Sequence, residues 1–319
     1  SGASGLLTPL RALGIPARVY PGVSSIQLLS AALGRPWQDW KLVSAHGCAC
    51  DPVAECMMNR SAFFLTGGTE TPASLCQKLT DAGMGEAHGV VGENLGTEAE
   101  AIRYGSAAEL AGQSFAPLSV LLVENFDLPQ LRAPGFPDES FIRSEVPMTK
   151  QEVRAAALAK LAVMPTDTLW DVGAGTGSVS VELALAAPKG RVYAVECEPD
   201  ACELIRKNRA KFQTYNLILI EGRAPDALAD LPAPDAVFIG GTKGGMEAVL
   251  DEVLGKNPNA RICISAIALE TLGAAIAALT ARGLTAEVTQ IAVSRTKPAG
   301  RLHLLMANNP IFLITGTRK

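Results

Sequence analysis

A glycine-rich stretch in the middle of the chain has the spacing of a ligand-binding turn. The sequence LWDVGAGTGSVSVELAL, residues 169–185, reads as a buried strand ending at Asp171, a turn GAGTG at residues 173–177, and a helix that follows directly. Because glycine has no side chain, a ligand can approach the backbone of such a turn closely. A dinucleotide fingerprint needs its third glycine where this chain has Ser178. The pattern therefore favours a nucleoside-type ligand and disfavours pyrophosphate recognition.

Two further groups follow the next predicted strands at their carboxyl ends. Glu196 stands 23 residues after Gly173, and its carboxylate can accept both hydroxyls of a ribose while repelling a 2′-phosphate. The third strand leads to Arg223 and Ala224, where backbone groups and a small apolar side chain can hold an adenine ring. The carboxyl ends of neighbouring parallel strands form one crevice. We therefore predict a nucleoside-binding site made of Asp171, Gly173, Ala174, Gly175, Thr176, Gly177, Glu196, Arg223 and Ala224.

The elements around this turn alternate as a doubly wound sheet requires. Predicted strands lie at residues 168–172, 192–195, 217–220, 236–239 and 261–265, and predicted helices at 150–161, 178–187, 200–212, 225–231, 245–254 and 268–282. Such alternation predicts an α/β fold with a parallel, Rossmann-like sheet. Two further apolar runs, 286–293 and 311–314, fit an antiparallel edge.

The preceding section reads as a second α/β unit with shorter elements. Its predicted helices lie at residues 6–13, 24–32 and 72–82, and its predicted strands at 17–20, 40–43, 61–65, 90–91 and 118–123. Residues 127–143 hold three prolines and a glycine without periodicity, which is typical of a linker. We therefore expect one domain at residues 1–126 and another at residues 144–319.

Composition excludes several classes of protein. With 48% hydrophobic and 19% charged residues, the 319-residue chain is not disordered overall. Its net charge of -4 argues against a general nucleic-acid binder. Since no long apolar run or signal-like start occurs, we expect a soluble, cytoplasmic protein that does not act at a membrane. The seven cysteines lack a disulfide-like spacing, and His46, Cys48 and Cys50 lack the spacing of a structural zinc site, so we expect reduced thiols and no metal.

The motifs of the second unit resemble the class I S-adenosylmethionine-dependent methyltransferases. They are most similar to one branch, the precorrin-6Y C5,15-methyltransferase (decarboxylating) family of cobalamin biosynthesis, over about residues 135–319. The stretches that carry this resemblance are FIRSEVPMTKQEVRAAALAKL, DVGAGTGSVSVE, EGRAPDAL, PDAVFIGGTKGG, ALETL and AVSRTKPAGRLHLLMANNPIFLITG. The resemblance implies S-adenosylmethionine as cofactor, contacted by Thr149, Gly173 to Gly177, Glu196 and Ala224.

The first unit resembles the second lobe of the tetrapyrrole (corrin/porphyrin) methylases. The stretches VYPGVSSIQLLSAALGRPWQDWKLVSAHG, TPASLCQKL, VVGENLGTEAEAI and FAPLSVLLVEN carry this resemblance. It implies that the amino-terminal lobe of that module is missing. The chain departs from the family at Cys48, where an arginine is usual, and at Ser265 and Ala266, where an Asn-Ala pair is usual.

The resemblance implies methylation of a tetrapyrrole at two meso carbons, C5 and C15, with loss of carbon dioxide from an acetate side chain. Methyl transfer from a sulfonium mainly requires proximity and a dry, oriented cavity. Because the substrate is polyanionic, basic residues are expected around the cleft. The candidates in the motif loops are Arg143, Lys150, Arg223, Lys243, Arg295, Lys297 and Arg301. We predict that Lys243 and Arg295 contact the substrate and that Glu145 orients a basic residue or handles a proton.

Two other functions remain open at the level of sequence. One is a class I methyltransferase acting on RNA or protein, against which stand the missing basic, aromatic-interleaved face and the Ile311 that follows Asn309-Pro310. The other is a binding or assembly protein that has kept the folds and lost the chemistry. The resemblance also implies a homo-oligomer, a dimer or tetramer.

Overall fold

The first unit is built around a five-stranded sheet. The computed structural model describes residues 2–20, 22–125, 127–129 and 134–318, with the side chains of residues 2–4 left out. The helices of the first unit are α1 (Gly2–Ala12), α2 (Ser25–Leu33), α3 (Pro52–Met58), α4 (Pro72–Asp81) and α5 (Ala107–Ala111), and the strands are β1 (Lys41–Ser44), β2 (Ser61–Leu65), β3 (His88–Glu93), β4 (Ala101–Ser106) and β5 (Ser119–Glu124).

This sheet has the order β1-β2-β5-β3-β4, in which only β1 and β2 run parallel. Successive side chains of a strand point to opposite faces, and both faces are apolar here. Phe64 and Leu121 belong to one buried cluster, while Phe63 and Leu122 belong to the other. The sheet is therefore covered on both sides.

The second unit is built around a seven-stranded sheet. Its helices are α6 (Gln151–Leu161), α7 (Ser178–Ala186), α8 (Pro199–Phe212), α9 (Met246–Lys256) and α10 (Leu269–Ala281). Its strands are β6 (Thr168–Val172), β7 (Arg191–Glu196), β8 (Leu217–Glu221), β9 (Ala236–Ile239), β10 (Arg261–Ala266), β11 (Thr285–Ile291), β12 (Ser294–Ala299), β13 (Leu302–Ala307) and β14 (Ile311–Thr317). Short 3-10 helices lie at Asp138–Ser140 and Asp226–Leu228.

The order of this sheet creates a crevice at its centre. The strands follow β11-β14-β10-β9-β6-β7-β8, with β14 antiparallel to both of its neighbours. From β6 the chain first builds outward through β7 and β8, and it then returns to the other side of β6 for β9 and β10. Ligands of open α/β sheets bind at such a switch point, at the carboxyl ends of the strands. The predicted Rossmann-like sheet and its antiparallel edge are thus confirmed.

The structure also corrects several predicted elements. Residues 17–20 form no strand and are exposed, and the predicted helix at 225–231 is only a single 3-10 turn. Helices α3 and α5 and strand β4 were not predicted, since they are short and carry weak patterns. The β12–β13 hairpin was not predicted: β12 has no apolar run, and the apolar residues of β13 are exposed and not packed against a core.

The predicted linker and domain boundary remain a proposal. Residues 130–133 of the linker lie outside the described residues, as do residues 1 and 126. Its later part is anchored to the second unit, where Phe136 and Phe141 are buried. None of the described helices is long and apolar enough to cross a membrane.

Candidate functional site

The glycine turn after β6 has a backbone that only glycine adopts easily. Gly173, Gly175 and Gly177 have φ angles of +74°, +56° and +74°. A Cβ on Gly173 would lie 2.4 Å from the carbonyl oxygen of Gly241, in the loop after β9. A side chain at Gly173 would therefore force the two loops apart.

The carboxylate of Glu196 is held at the end of β7 by backbone donors. The amide of Gly175 donates to its Oε2 at 2.8 Å, and the amides of Cys197 and Glu198 donate to its Oε1 at 2.7 and 3.0 Å. The residue is only 8% exposed. Each oxygen of a carboxylate can accept more than one hydrogen bond, so this group is fixed in place and still able to accept from a ligand.

A cleft of about 500 Å³ opens beside this carboxylate. This volume lies within the range of pockets that bind cofactors and small substrates. Its walls come from the segment before α6 and from the loops after β6, β7, β8, β9 and β10. The lining residues include Val146, Pro147, Met148, Thr149, Gly173, Ala174, Gly175, Thr176, Glu196, Cys197, Glu198, Arg223, Ala224, Thr242, Lys243, Ser265, Ile267 and Ile311.

Most of the predicted nucleoside-binding residues therefore lie together in this cleft, with two exceptions. Gly177 is the N-cap of α7 and packs against Ile205. Asp171 is 1% exposed and accepts a hydrogen bond from the hydroxyl of Ser180. Burial, together with the charge of Glu196, raises the pKa of Asp171 to about 7 despite that hydrogen bond. Neither residue lines the cleft.

Lys243, for which we predict a substrate contact, lies in the cleft wall. Its Nζ forms an ion pair with the carboxylate of Glu198 and lies 3.6 Å from Sγ of Cys197. Hydrogen bonding to this carboxylate raises the pKa of Lys243, and the ammonium in turn lowers the pKa of Glu198. Both side chains are more than half exposed, and such pairs open easily. The ammonium is therefore available to an anionic ligand in the cleft.

Arg295 and Glu145 are not brought into the cleft. The guanidinium of Arg295, on β12, donates to Asp138 at 3.0 Å and to Glu152 at 2.7 Å. Direct contact between Arg295 and a substrate in the cleft would require these pairs to break. Glu145 is exposed and precedes the lining segment by one residue.

Other residues of the site were missed from the sequence. Cys197, Glu198 and the apolar Val146 and Met148 line the cleft but carry no distinctive spacing. A buried charge behind the cleft did leave a signal, because Glu182 is the one charged residue in the buried SVSVELALA helix. An isolated charge on a buried helix requires a partner, which here is Arg154 of α6 at 2.8 Å.

The arrangement fits the adenosine part of the expected cofactor. Glu196 offers acceptors, and the small side chains of Ala174, Ala201 and Ala224 leave room for a flat ring. Thr176 also lines this cleft, and its buried hydroxyl has no hydrogen-bond partner among the described residues.

Comparison with known protein families agrees with this geometry. The sequence model of the precorrin methyltransferase domain matches residues 140–318, and that of the tetrapyrrole (corrin/porphyrin) methylases matches residues 1–111. The chain belongs to the precorrin methyltransferase family. In this family member, the matched domain contains the whole seven-stranded sheet and the cleft.

Individual relatives of this precorrin methyltransferase family member divide into two kinds. A probable cobalt-precorrin-6B C(15)-methyltransferase (decarboxylating) from Sulfurisphaera tokodaii is 40% identical over 191 residues, which are 59% of this chain and 100% of the relative. A precorrin-6Y C(5,15)-methyltransferase [decarboxylating] from Sinorhizobium sp is 35% identical over 241 residues, 73% of this chain and 58% of the relative.

A solved structure shows the same fold. The precorrin-6y C5,15-methyltransferase from Geobacter metallireducens GS-15 superposes with a TM-score of 0.57 at 38% identity, covering 60% of this chain and 100% of that one.

Proposed function

We propose that this chain transfers methyl groups from S-adenosylmethionine to ring carbons of a precorrin tetrapyrrole and decarboxylates an acetate side chain, in cobalamin biosynthesis. One observation supports this most directly. The fixed carboxylate of Glu196 and the available ammonium of Lys243 line one cleft at the switch point of the sheet.

The cofactor end of the cleft would be formed at the carboxyl ends of β6, β7 and β8. The carboxylate of Glu196 would accept from the ribose hydroxyls, and Ala224 with its backbone neighbours would lie against the adenine. Thr149 and the glycine turn, which includes Thr176, would enclose the rest of the cofactor. When bound, S-adenosylmethionine supplies an electrophilic methyl group.

The residues of the cleft would act by positioning and by excluding water. No lining side chain needs to form a covalent bond, because the tetrapyrrole itself provides the electrons and can receive those released with carbon dioxide. Val146, Met148 and Ile267 give the cleft apolar surface, and a dry site strengthens the electrostatic contacts within it.

The substrate end of the cleft would hold carboxylates of the tetrapyrrole. Lys243 can exchange its exposed partner Glu198 for a substrate carboxylate, and Arg223, whose guanidinium donates to the Lys243 carbonyl at 3.2 Å, lies beside it. Ser265 and Ile267 line the cleft at the end of β10. Since an Asn-Ala pair was expected near this position, we infer that these residues tune how the substrate is oriented.

We also infer a division of labour between the two units. Relatives of the length of the second unit are named for methylation at C15 and decarboxylation, whereas the longer relative is named for C5 and C15. This difference supports assigning C15 methylation and decarboxylation to residues 140–318. The expected homo-oligomer stays a prediction, which light scattering of the purified chain tests.

Incubation with a precorrin substrate and methyl-labelled S-adenosylmethionine tests the proposed function. We expect label in the tetrapyrrole and release of carbon dioxide. Label transferred to RNA or protein instead would support the first alternative. Cofactor binding without either product would support a binding or assembly role.

A further inference from the structure

We propose that Arg154 is a positioning residue that holds residues 146–149 against the glycine turn and so sets the affinity of the cleft for its cofactor. This inference rests on the proposed function, because it concerns the same cleft. Arg154 does not line the cleft itself.

The guanidinium of Arg154 joins four parts of the second unit. It donates to Glu182 of α7 at 2.8 Å, to Asp138 at 2.9 Å, to the carbonyl of Phe136 at 2.5 Å and to the carbonyl of Thr149 at 2.5 Å. It also lies 4.6 Å from the ring centre of Phe141. One buried group thus ties the segment before α6 to the helix that follows the glycine turn.

The burial of this cluster makes each contact matter. Arg154 is 0% exposed, and its two carboxylate partners are each 2% exposed. A charge left unpaired at such a site is strongly unfavourable. Burial opposes ionisation of Asp138, but hydrogen bonding and charge from Arg154 and Arg295 outweigh it and lower the pKa of Asp138. Asp138 therefore carries a negative charge beside Arg154 at neutral pH.

The cluster acts on the cleft through the segment that covers it. Residues 146–149 all line the cleft, and the Pro147 carbonyl oxygen lies 3.3 Å from the point that a Cβ on Gly175 would occupy. The carbonyl of Thr149 is bonded to Arg154, and Asp138 accepts from the amide of Gln151 at 2.9 Å, just beyond the segment. The carboxyl end of the covering segment is thus fixed at two successive points.

Lysine could not make the same set of contacts. The planar guanidinium offers five donors in a rigid fork, whereas an ammonium is a compact charge on a flexible stem. A lysine at position 154 can satisfy one carboxylate and keep the charge, but it cannot reach the carbonyls of Phe136 and Thr149 together. The substitution Arg154→Lys therefore separates charge balance from positioning.

Arg261→Lys is a matched control in the same unit. Arg261 begins β10 at the opposite end of the sheet and donates to the carbonyl of Ala162 and to Asp167, both at 2.5 Å. This substitution also breaks a forked set of bonds, but far from the cleft.

Calorimetry with S-adenosylhomocysteine on the full chain tests the positioning role. We expect Arg154→Lys to raise the Kd for S-adenosylhomocysteine roughly 10-fold. Arg261→Lys should keep this Kd within about twofold of the wild-type value. The KM for S-adenosylmethionine should rise similarly while kcat changes less. Limited trypsin digestion should cut after Lys150 faster in Arg154→Lys than in the wild type.

Other outcomes would overturn the proposal. An unchanged Kd in a folded Arg154→Lys variant, or an equal loss in Arg261→Lys, would contradict positioning. If Arg154→Lys does not fold, Asp138→Asn replaces it as the test, and we expect its Kd for S-adenosylhomocysteine to rise roughly threefold. Rapid trypsin cleavage after Lys150 in the wild type would also contradict the positioning role. Failure of the wild-type chain to bind S-adenosylhomocysteine would instead overturn the proposed function, and this inference with it.

Discussion

The role of Glu196 in cofactor binding can be tested with a neighbouring glutamate, Glu221, as the control. The carboxylate of Glu196 lies in the cleft, whereas Glu221, its partner in register on β8, is exposed and pairs with Arg206. Hydrogen bonds to a charged group are typically worth about 1.5 to 3 kcal/mol. We therefore expect Glu196→Gln to weaken S-adenosylhomocysteine binding by roughly 10-fold or more in calorimetry. Glu221→Gln should bind like the wild type, and equal affinities of the two variants would contradict the assignment.

Asp171 gives a prediction about pH and stability. Its pKa is raised to about 7 in the folded protein, from an ordinary value of 3.8, chiefly by burial. Between these values the folded chain keeps a proton that the unfolded chain releases, so stability is lost as pH rises through this window. In Asp171→Asn the loss is absent, and the amide oxygen can still accept from Ser180.

The measurement for Asp171 is urea unfolding of both proteins at pH 5 and pH 8. We expect the stability of Asp171→Asn relative to wild type to increase by roughly 2 to 3 kcal/mol between these pH values. A difference that does not change with pH would show that Asp171 is ionised throughout.

At the scale of elements, glycine is required in the glycine turn but not in helix α10. Gly173 has a φ of +74°, and a Cβ there would clash with the backbone of Gly241. A Cβ on Gly273, inside α10, would meet nothing within 4 Å. We expect Gly173→Ala to destabilise the chain by about 2 kcal/mol or more. Gly273→Ala should stabilise it by up to about 1 kcal/mol, because alanine has the higher helix propensity. Thermal unfolding checks both, and changes of the same sign would refute the contrast.

At the scale of the whole molecule, the second unit has a core of its own. Among the residues that the structure describes, both buried clusters of its sheet contain only residues from Phe136 onward. Contacts with the first unit include Arg209 to the carbonyl of Ala82 at 2.6 Å and Arg191 to Asp51 at 2.6 Å. Tyr215 of the second unit also packs against the buried cluster of the first. The polar contacts between the units contribute little to either core.

A chain that begins at Pro134 should therefore fold by itself. We expect it to bind S-adenosylhomocysteine with the affinity of the full chain, as measured by calorimetry, and to release carbon dioxide from a precorrin substrate. Loss of cofactor binding would show instead that the first unit supports the cleft.

Strong local patterns allowed much of the fold to be predicted. The strand at 168–172 coincides with a short apolar run, whereas helix α7 was predicted from its place directly after the glycine turn, since its apolar residues alternate as in a strand. Strands β12 and β13 were missed: β12 has no apolar run, and β13 is apolar but exposed. The glycine turn and Glu196 were recognisable because their roles depend on backbone conformation and on distance along the chain, both of which are local properties.

By itself, therefore, the sequence determined the alternation of elements, the glycine turn, the acid at the end of β7 and the family. Only the tertiary structure decided that Lys243 lies in the cleft wall while Arg295 is bound to Asp138 and Glu152. It also decided that Arg154 is buried between two carboxylates. The partner of a charge depends on how distant segments pack, and no pattern within one segment contains that information.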